Sequence, residues 1–240
     1  MDRDRVKIQG LGIDNCSMDE AVDYAYSNGG QIVTINPEMI SYAKKNPYFT
    51  DIVSSAELVI PDGIGVQIGL KILGYDVKRI PGIELGKALI TKFSDNNKSV
   101  ALVGAKPEIL KLTVKNLIKE VENVNIVYAH DGYYKDEDEI VNALVDSKPD
   151  LVLVALGSPK QEILINKLKT KLPKSAMIGL GGSFDVWSGV VKRAPKIYQK
   201  LGLEWLYRTI KEPQRLKRIF PALPVFIFKV LKERLFDGKC

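Results

Sequence analysis

The residues best placed to do chemistry stand where apolar runs end. Asp62, in IPDGIGV, follows the run Glu57 to Ile60 and precedes a helical pattern. An aspartate at such an exit can take a proton from a hydroxyl, the more so if partial burial raises its pKa. The structural alternative is a turn followed by a helix N-cap, which Asp62-Gly63 also suits. Thr34 and Asn36, in VTINPEM, occupy the equivalent exit of the preceding run. Neighbouring exits at the carboxyl edge of an open α/β sheet can converge on one pocket, although Asn36 before Pro37 is equally a natural N-cap. Arg79, in KRIPGIEL, can neutralise a phosphate or stand as a solvated surface cation.

Other candidates are weaker. Asp136 and Asp138 have the DxD spacing that can hold a divalent metal. Within KDEDEIV they read instead as a helix start whose acids complement the dipole. His130 is the sole histidine, so no His-based metal cluster is available, and no GxSxG elbow accompanies it. Two exits look alike, VALVGAKPEIL from Val100 and LVLVALGSPKQEIL from Leu151, each with a Gly after the run and a Pro at the next helix start. A helix N-terminus offers unpaired N–H groups and positive dipole, so either could take a phosphate. Gly and Pro are also ordinary loop punctuation, and neither exit is a Walker loop or a GxGxxG fingerprint.

These exits need a sheet to carry them. Apolar runs near Gln31 to Ile35, Glu57 to Ile60, Ser99 to Val103, Asn125 to Ala129, Leu151 to Ala155 and Ala176 to Leu180 read as strands. Helical patterns fall at Met18 to Tyr26, Pro37 to Val53, Ile64 to Leu73, Gly82 to Phe93, Pro107 to Val121, Glu137 to Val145 and Pro159 to Leu172. The fold class is α/β, a Rossmann-like and largely parallel sheet flanked by helices.

After Arg193-Ala194-Pro195 the pattern changes. A helix from about Lys196 to Lys211 carries Trp205, Tyr207 and Arg208, and the proline-broken PALPVFIF and then KVLKERLF follow. We divide the chain into a catalytic core, 1–195, and a helical appendage, 196–240. Residues 186–240 hold 13 Lys and Arg against four acids, +9, while residues 1–185 hold 22 against 25, −3. The appendage is therefore expected to meet something anionic. In its last stretch Phe228, Leu231 and Leu235 share one helical face, which fits a helix on anionic lipid or one docked on its own domain or a partner subunit.

At 240 residues, 45% apolar and 27% charged, the chain suits one large α/β domain plus an appendage. Cys16 and Cys240 form no CxxC pair, which argues against a disulfide framework or zinc cluster and fits a reducing cytoplasm. No run reaches the roughly 18 apolar residues of a membrane span, and the mixed-charge MDRDRVKIQG does not read as a secretory signal.

Taken together, VTINPEM, PDGIGV, KRIPGIEL, ALVGAKPE, LVALGSPKQE, GLGGSFDVWSG, RAP and GLEWLYRTIKEPQR, in that order from about Ile32 to Arg218, resemble the WecG/TagA/CpsF family of bacterial glycosyltransferases. The resemblance implies inverting, β-1,4 transfer of an N-acetylmannosamine-type sugar from a UDP donor to polyprenyl-diphosphate-linked N-acetylglucosamine, as in teichoic acid linkage units. It implies no cofactor, no required metal and no nucleic acid partner. The site would lie at the cytoplasmic membrane face, reached by a peripheral protein, and self-assembly into a homo-oligomer stays open. Asp62 aligns with the proposed base, and Thr34 and Asn36 would position sugar and acceptor. Gln161, Gly181 and Gly182 would line the donor site.

Charge on departing UDP then needs cations, a role that fits Arg208, Arg215 and Arg218 beside Arg79. The appendage would act as a lid and membrane contact. A related donor, such as a uronate or another UDP-hexose, fits the same motifs. An oxidoreductase lacks its glycine fingerprint here, and a nucleic-acid-binding protein gripping phosphate through the basic tail is the competing reading of another class.

Overall fold

A computed structural model describes residues 5–200, 204–211 and 216–237. The chain opens with a hairpin, β1 (Val6–Ile8) and β2 (Leu11–Ile13), then α1 (Met18–Asn28) and β3 (Gly30–Ile35). Next come α2 (Pro37–Ala43), α3 (Pro47–Ser54), β4 (Leu58–Pro61), α4 (Ile64–Ile72) and α5 (Gly82–Asp95). Three βα units follow: β5 (Ser99–Gly104) with α6 (Pro107–Glu120), β6 (Asn125–His130) with α7 (Glu137–Ser147), and β7 (Leu151–Ala155) with α8 (Lys160–Lys169). The last strand, β8 (Ala176–Gly179), leads to the short α9 (Ser183–Trp187), then α10 (Lys196–Lys200), α11 (Glu204–Lys211) and α12 (Leu216–Asp237).

Strands β3 to β8 form one parallel sheet in the order β4-β3-β8-β7-β5-β6. The central strands are continuous apolar runs because helices cover both faces, and period-2 alternation sorts their side chains between two layers. Ile32, Leu102, Leu153 and Ile178 pack with α1, α5, α6 and α9. Across the sheet, Ala101, Val103, Val152, Val154 and Met177 pack with α7 and α8. Val33, Ile35 and Val59 pack with the hairpin, α2, α3, α4 and α12. The expected α/β class and all six sheet strands are present.

Three local expectations need correction. The single helix expected over Pro37 to Val53 is two, because Asn46 is extended (φ −135°, ψ 91°), the conformation that Pro47 imposes on the residue before it. The hairpin and α9 were not expected. Gln9 and Gly10 join β1 to β2 with both residues at positive φ, the geometry of a primed two-residue turn. Finally, α12 runs unbroken through Pro221 and Pro224. An interior proline costs about 3 kcal/mol. Here Phe226 and Val230 are fully buried against the hairpin, α2 and α4, each contributing about 1.5–3 kcal/mol.

Polar contacts fix α12 further. The Gln9 backbone N–H donates to Glu233 Oε1 at 2.9 Å and the Gln9 side-chain amide donates to Oε2 at 2.5 Å. Arg234 Nη1 donates to the Ile72 carbonyl at 2.8 Å. Gly65 of α4 makes the approach feasible, since a Cβ there would stand 2.7 Å from both Leu223 Cδ1 and Pro37 Cγ. The helix thus docks on its own domain. Phe228, Leu235 and Phe236 remain about 70% exposed on its other side. Among the described residues no helix is long and apolar enough to cross a membrane.

Candidate active site

The β3–β4 pairing brings the first candidates together. Ile35 sits opposite Pro61, and the Asp62 N–H donates to the Ile35 carbonyl at 3.0 Å. Asn36 and Asp62 therefore leave the sheet side by side. Asp62 does not cap the helix that follows it. Gly63 is the N-cap of α4, without a side-chain cap bond. Instead Asp62 Oδ1 accepts the N–H of Gly82, the first residue of α5, at 2.6 Å. The segment before α5 is anchored by buried Val77 and Ile80, with the Ile80 N–H donating to the Pro61 carbonyl at 2.9 Å. This delivers Arg79 to the same place.

Thr34 and Asn36 are both partly committed. The Thr34 hydroxyl donates to the Gly179 carbonyl at 3.2 Å, tying β3 to β8. Asn36 Oδ1 caps α2 by accepting the Met39 N–H at 3.0 Å, as the capping alternative anticipates, which leaves its amide nitrogen to offer a ligand. Arg79 Nη2 donates to the Gln199 carbonyl at 2.8 Å, so it also holds α10 beside the sheet. Arg193 continues that attachment through Glu84 of α5 at 2.6 Å and Glu204 of α11 at 3.2 Å.

From the other half of the sheet comes Gln161, in the first turn of α8. Its Oε1 accepts the N–H of Gly157 at 3.1 Å and of Gly181 at 2.9 Å, joining the exits of β7 and β8. Its amide lies against Gly179, where a Cβ would come within 2.4 Å of Nε2. A side chain at position 179 would displace Gln161, so the glycine is required by close approach.

One cleft of about 640 Å³ lies at the carboxyl ends of β3, β4, β7 and β8, where open α/β sheets bind ligands. Thr34, Asn36, Asp62, Arg79, Gln161, Gly181 and Gly182 are all in its wall. Of the two look-alike exits only that of β7 contributes. A wider depression of about 900 Å³ lies over α1, α5 and α6. It is away from the strand ends, and its charges largely satisfy one another, as in Lys87–Glu120 and Lys92–Asp23. The cleft is the better candidate.

The cleft also has walls that motif reasoning missed. Among the described residues it is lined by four carboxylates, Glu38, Asp62, Asp185 and Glu204, against the single cation Arg79. Tyr42 and Leu223 of α12 complete it. Asp185 stands in the GGSFD stretch and Glu204 in GLEW, so both were within reach of sequence reasoning. Leu223 was not, because its place depends on how α12 docks. Arg215 lies outside the described residues, and for Arg208 and Arg218 the description is confined to the helical backbone. Asp136 caps α7, its Oδ1 accepting the Asp138 N–H at 2.9 Å, and neither acid reaches the cleft. His130 Nδ1 lies 2.8 Å from the Asp131 carbonyl, with its ring stacked near Tyr128.

Beneath Gln161 sits a buried carboxyl that was also not anticipated. Glu162 is 2% exposed. Burial pushes its carboxyl above the ordinary range, against hydrogen bonds from Gln161 and Ser158 that pull it down.

Residues 6–239 match the model of the "Glycosyl transferase WecG/TagA/CpsF family". Two relatives carry the name N-acetylglucosaminyldiphosphoundecaprenol N-acetyl-beta-D-mannosaminyltransferase. The protein from Bacillus spizizenii is 38% identical over 214 residues, covering 89% of this chain and 83% of its own. That from Bacillus subtilis is 37% identical over 226 residues, covering 91% and 88%.

Proposed function

Since the chain belongs to the WecG/TagA/CpsF family of glycosyl transferases, we propose that it moves an N-acetylmannosaminyl group from a UDP donor to polyprenyl-diphosphate-linked N-acetylglucosamine. The product would be the β-1,4-linked disaccharide of a teichoic acid linkage unit. The observation that carries this reading is the convergence of Thr34, Asn36, Asp62, Arg79, Gln161 and the Gly181-Gly182 loop on one cleft.

In the proposed step the acceptor hydroxyl oxygen attacks the anomeric carbon while the bond from that carbon to the UDP oxygen breaks. The hydroxyl proton passes to Asp62, and single displacement inverts the centre. Asp62 is suited to this because the Gly82 N–H fixes its carboxylate plane, and a fixed base transfers protons without first being reoriented. Asn36 and Thr34 position the sugars. Departing UDP takes up negative charge in a cleft already rich in carboxylates, so cations must be supplied. Arg79 is one. We assign the rest to Arg208, Arg215 and Arg218, on the strength of the +9 balance of residues 186–240.

A lipid-linked acceptor brings the enzyme to the inner membrane face. The exposed Phe228, Leu235 and Phe236, interleaved with Lys232 and Arg234 on α12, fit an anionic lipid surface. In this reading residues 1–195 bind the donor and carry the base, while 196–240 close the cleft and meet lipid.

The deciding experiment is an assay with UDP-N-acetylmannosamine, its uronate and UDP-glucose against one lipid-linked N-acetylglucosamine. Transfer from UDP-N-acetylmannosamine with a β-linked product is expected. Preference for the uronate would redirect the product to another polymer, and no transfer from any of the three would overturn the reading.

A further inference from the structure

Gln161 and Glu162 are adjacent, both in the first turn of α8 and both buried, at 4% and 2% exposure. A glutamine amide can face two ways, and only one way suits this site. The N–H groups of Gly157 and Gly181 both need an acceptor, so Oε1 must face them and Nε2 must face away. What Nε2 meets is Glu162 Oε1, at 2.8 Å. An acceptor there rewards the productive orientation, and in the flipped one two amide N–H groups would face an N–H₂ group and two oxygens would face each other. Leaving a buried polar group unsatisfied is costly, so the amide is strongly biased toward the productive orientation.

We propose that Glu162 is a positioning residue for the transfer reaction: it holds the Gln161 amide in the one orientation that gathers the Gly157 and Gly181 loops into a floor for the donor. The chain of contacts has no slack. Gly179 has no Cβ to push the Gln161 amide aside, and its carbonyl accepts the Thr34 hydroxyl. Gln31 Nε2 donates to the Glu162 carbonyl at 3.1 Å, tying α8 to β3 beneath the cleft. Glu162 Oε2 and Gln31 Oε1 are among the buried side-chain atoms that lack a hydrogen-bond partner among the described residues. A carboxyl that keeps its proton turns one of these acceptors into a donor, and burial of Glu162 favours that form. The role needs an acceptor toward Gln161 Nε2, which a glutamine at 162 also provides.

The inference rests on the proposed UDP-sugar reaction, and its test separates the two. UDP affinity is measured by calorimetry, and donor KM, acceptor KM and kcat by turnover, for wild type, Glu162→Leu, Glu162→Asp, Glu162→Gln, Gln161→Ala and the double variant Gln161→Ala/Glu162→Leu. Glu162→Leu is expected to weaken UDP binding and raise donor KM by about tenfold with acceptor KM unchanged. Glu162→Gln recovers most of the loss, and the double variant is no worse than Gln161→Ala, because Glu162 acts through Gln161. Glu162→Asp, whose carboxyl falls short of Nε2, shows the same donor defect and serves if the leucine variant does not fold. Unchanged UDP affinity and donor KM in both Leu and Asp variants would overturn the role of Glu162, as would additive losses in the double variant. Absence of UDP binding by wild type would overturn the functional reading itself.

Discussion

Gly82 donates its backbone N–H to Asp62 Oδ1 at 2.6 Å, so the carboxylate at the exit of β4 is held by the first residue of α5 rather than by the helix it precedes. The contact spans 20 residues of sequence and closes the loop that carries Arg79. Asp62 and Arg79 are therefore placed by one piece of backbone.

Replacement of Asp62 by Asn keeps an oxygen for the Gly82 N–H but removes the proton acceptor. Sugar transfer is expected to fall about 100-fold or more, in line with general-base contributions, while UDP affinity measured by calorimetry stays at the wild-type level. Wild-type turnover would remove Asp62 as the base.

Gly65 tests the docking of α12. Gly65→Val should push Leu223 and Pro37 apart, since a Cβ already stands 2.7 Å from each. Hydrogen exchange at Phe226 and Val230 is expected to accelerate while β5 and β7 stay protected. Equal protection throughout would mean that α12 accommodates the side chain.

Stability should depend on pH through Glu162. Its folded-state carboxyl is raised above the ordinary value of 4.5, chiefly by burial. The wild type therefore has this contribution in full below pH 4.5 and loses it as pH rises through the elevated folded value. Glu162→Gln has no proton to lose. The Tm of the variant relative to wild type should climb as pH rises above 4.5, and a difference independent of pH would contradict the burial argument.

Glu233→Ala removes the acceptor of two Gln9 donors. Hydrogen bonds to a charged group contribute about 1.5–3 kcal/mol, so urea unfolding should register a loss of that order, with the donor KM unchanged. No loss of stability would show that the turn and helix are held by apolar packing alone.

The exposed side of α12 can be altered without touching its docked side. Phe228→Ser/Leu235→Ser should reduce co-sedimentation with phosphatidylglycerol vesicles while Tm stays near wild type, because both residues are mostly exposed. Undiminished vesicle binding would assign lipid contact to another surface.

Much of this was legible in the chain because the local signals agreed with the global fold. Six apolar runs such as LVLVA and SVALV became the six sheet strands, the central ones without alternation because both their faces are covered. Thr34, Asn36, Asp62, Arg79, Gln161, Gly181 and Gly182 stand at strand exits or in the family-like motifs, and they share one cleft. What was hidden depends on long-range contact. Asp62 reads locally as a turn, and only the approach of Gly82 shows its partner. Nothing local in SPKQE marks Glu162 as buried, and its burial follows from α8 packing on β3 and β8. Pro221 and Pro224 read as helix breaks, and tertiary burial of Phe226 and Val230 overrides them.

The grip of Glu233 on Gln9 makes the first and last described elements of the chain a single mechanical unit. Residues near 9 and near 233 stabilise each other across the whole sequence, and Phe226 and Val230 fill a space that Ile8 and Ile13 help to line. Cutting the chain after 195 would therefore strip apolar cover from the hairpin, α2 and α4 as well as remove the proposed lid. An inactive shortened protein would report loss of packing as readily as loss of catalysis, whereas point changes on the outward side of α12 leave that packing whole.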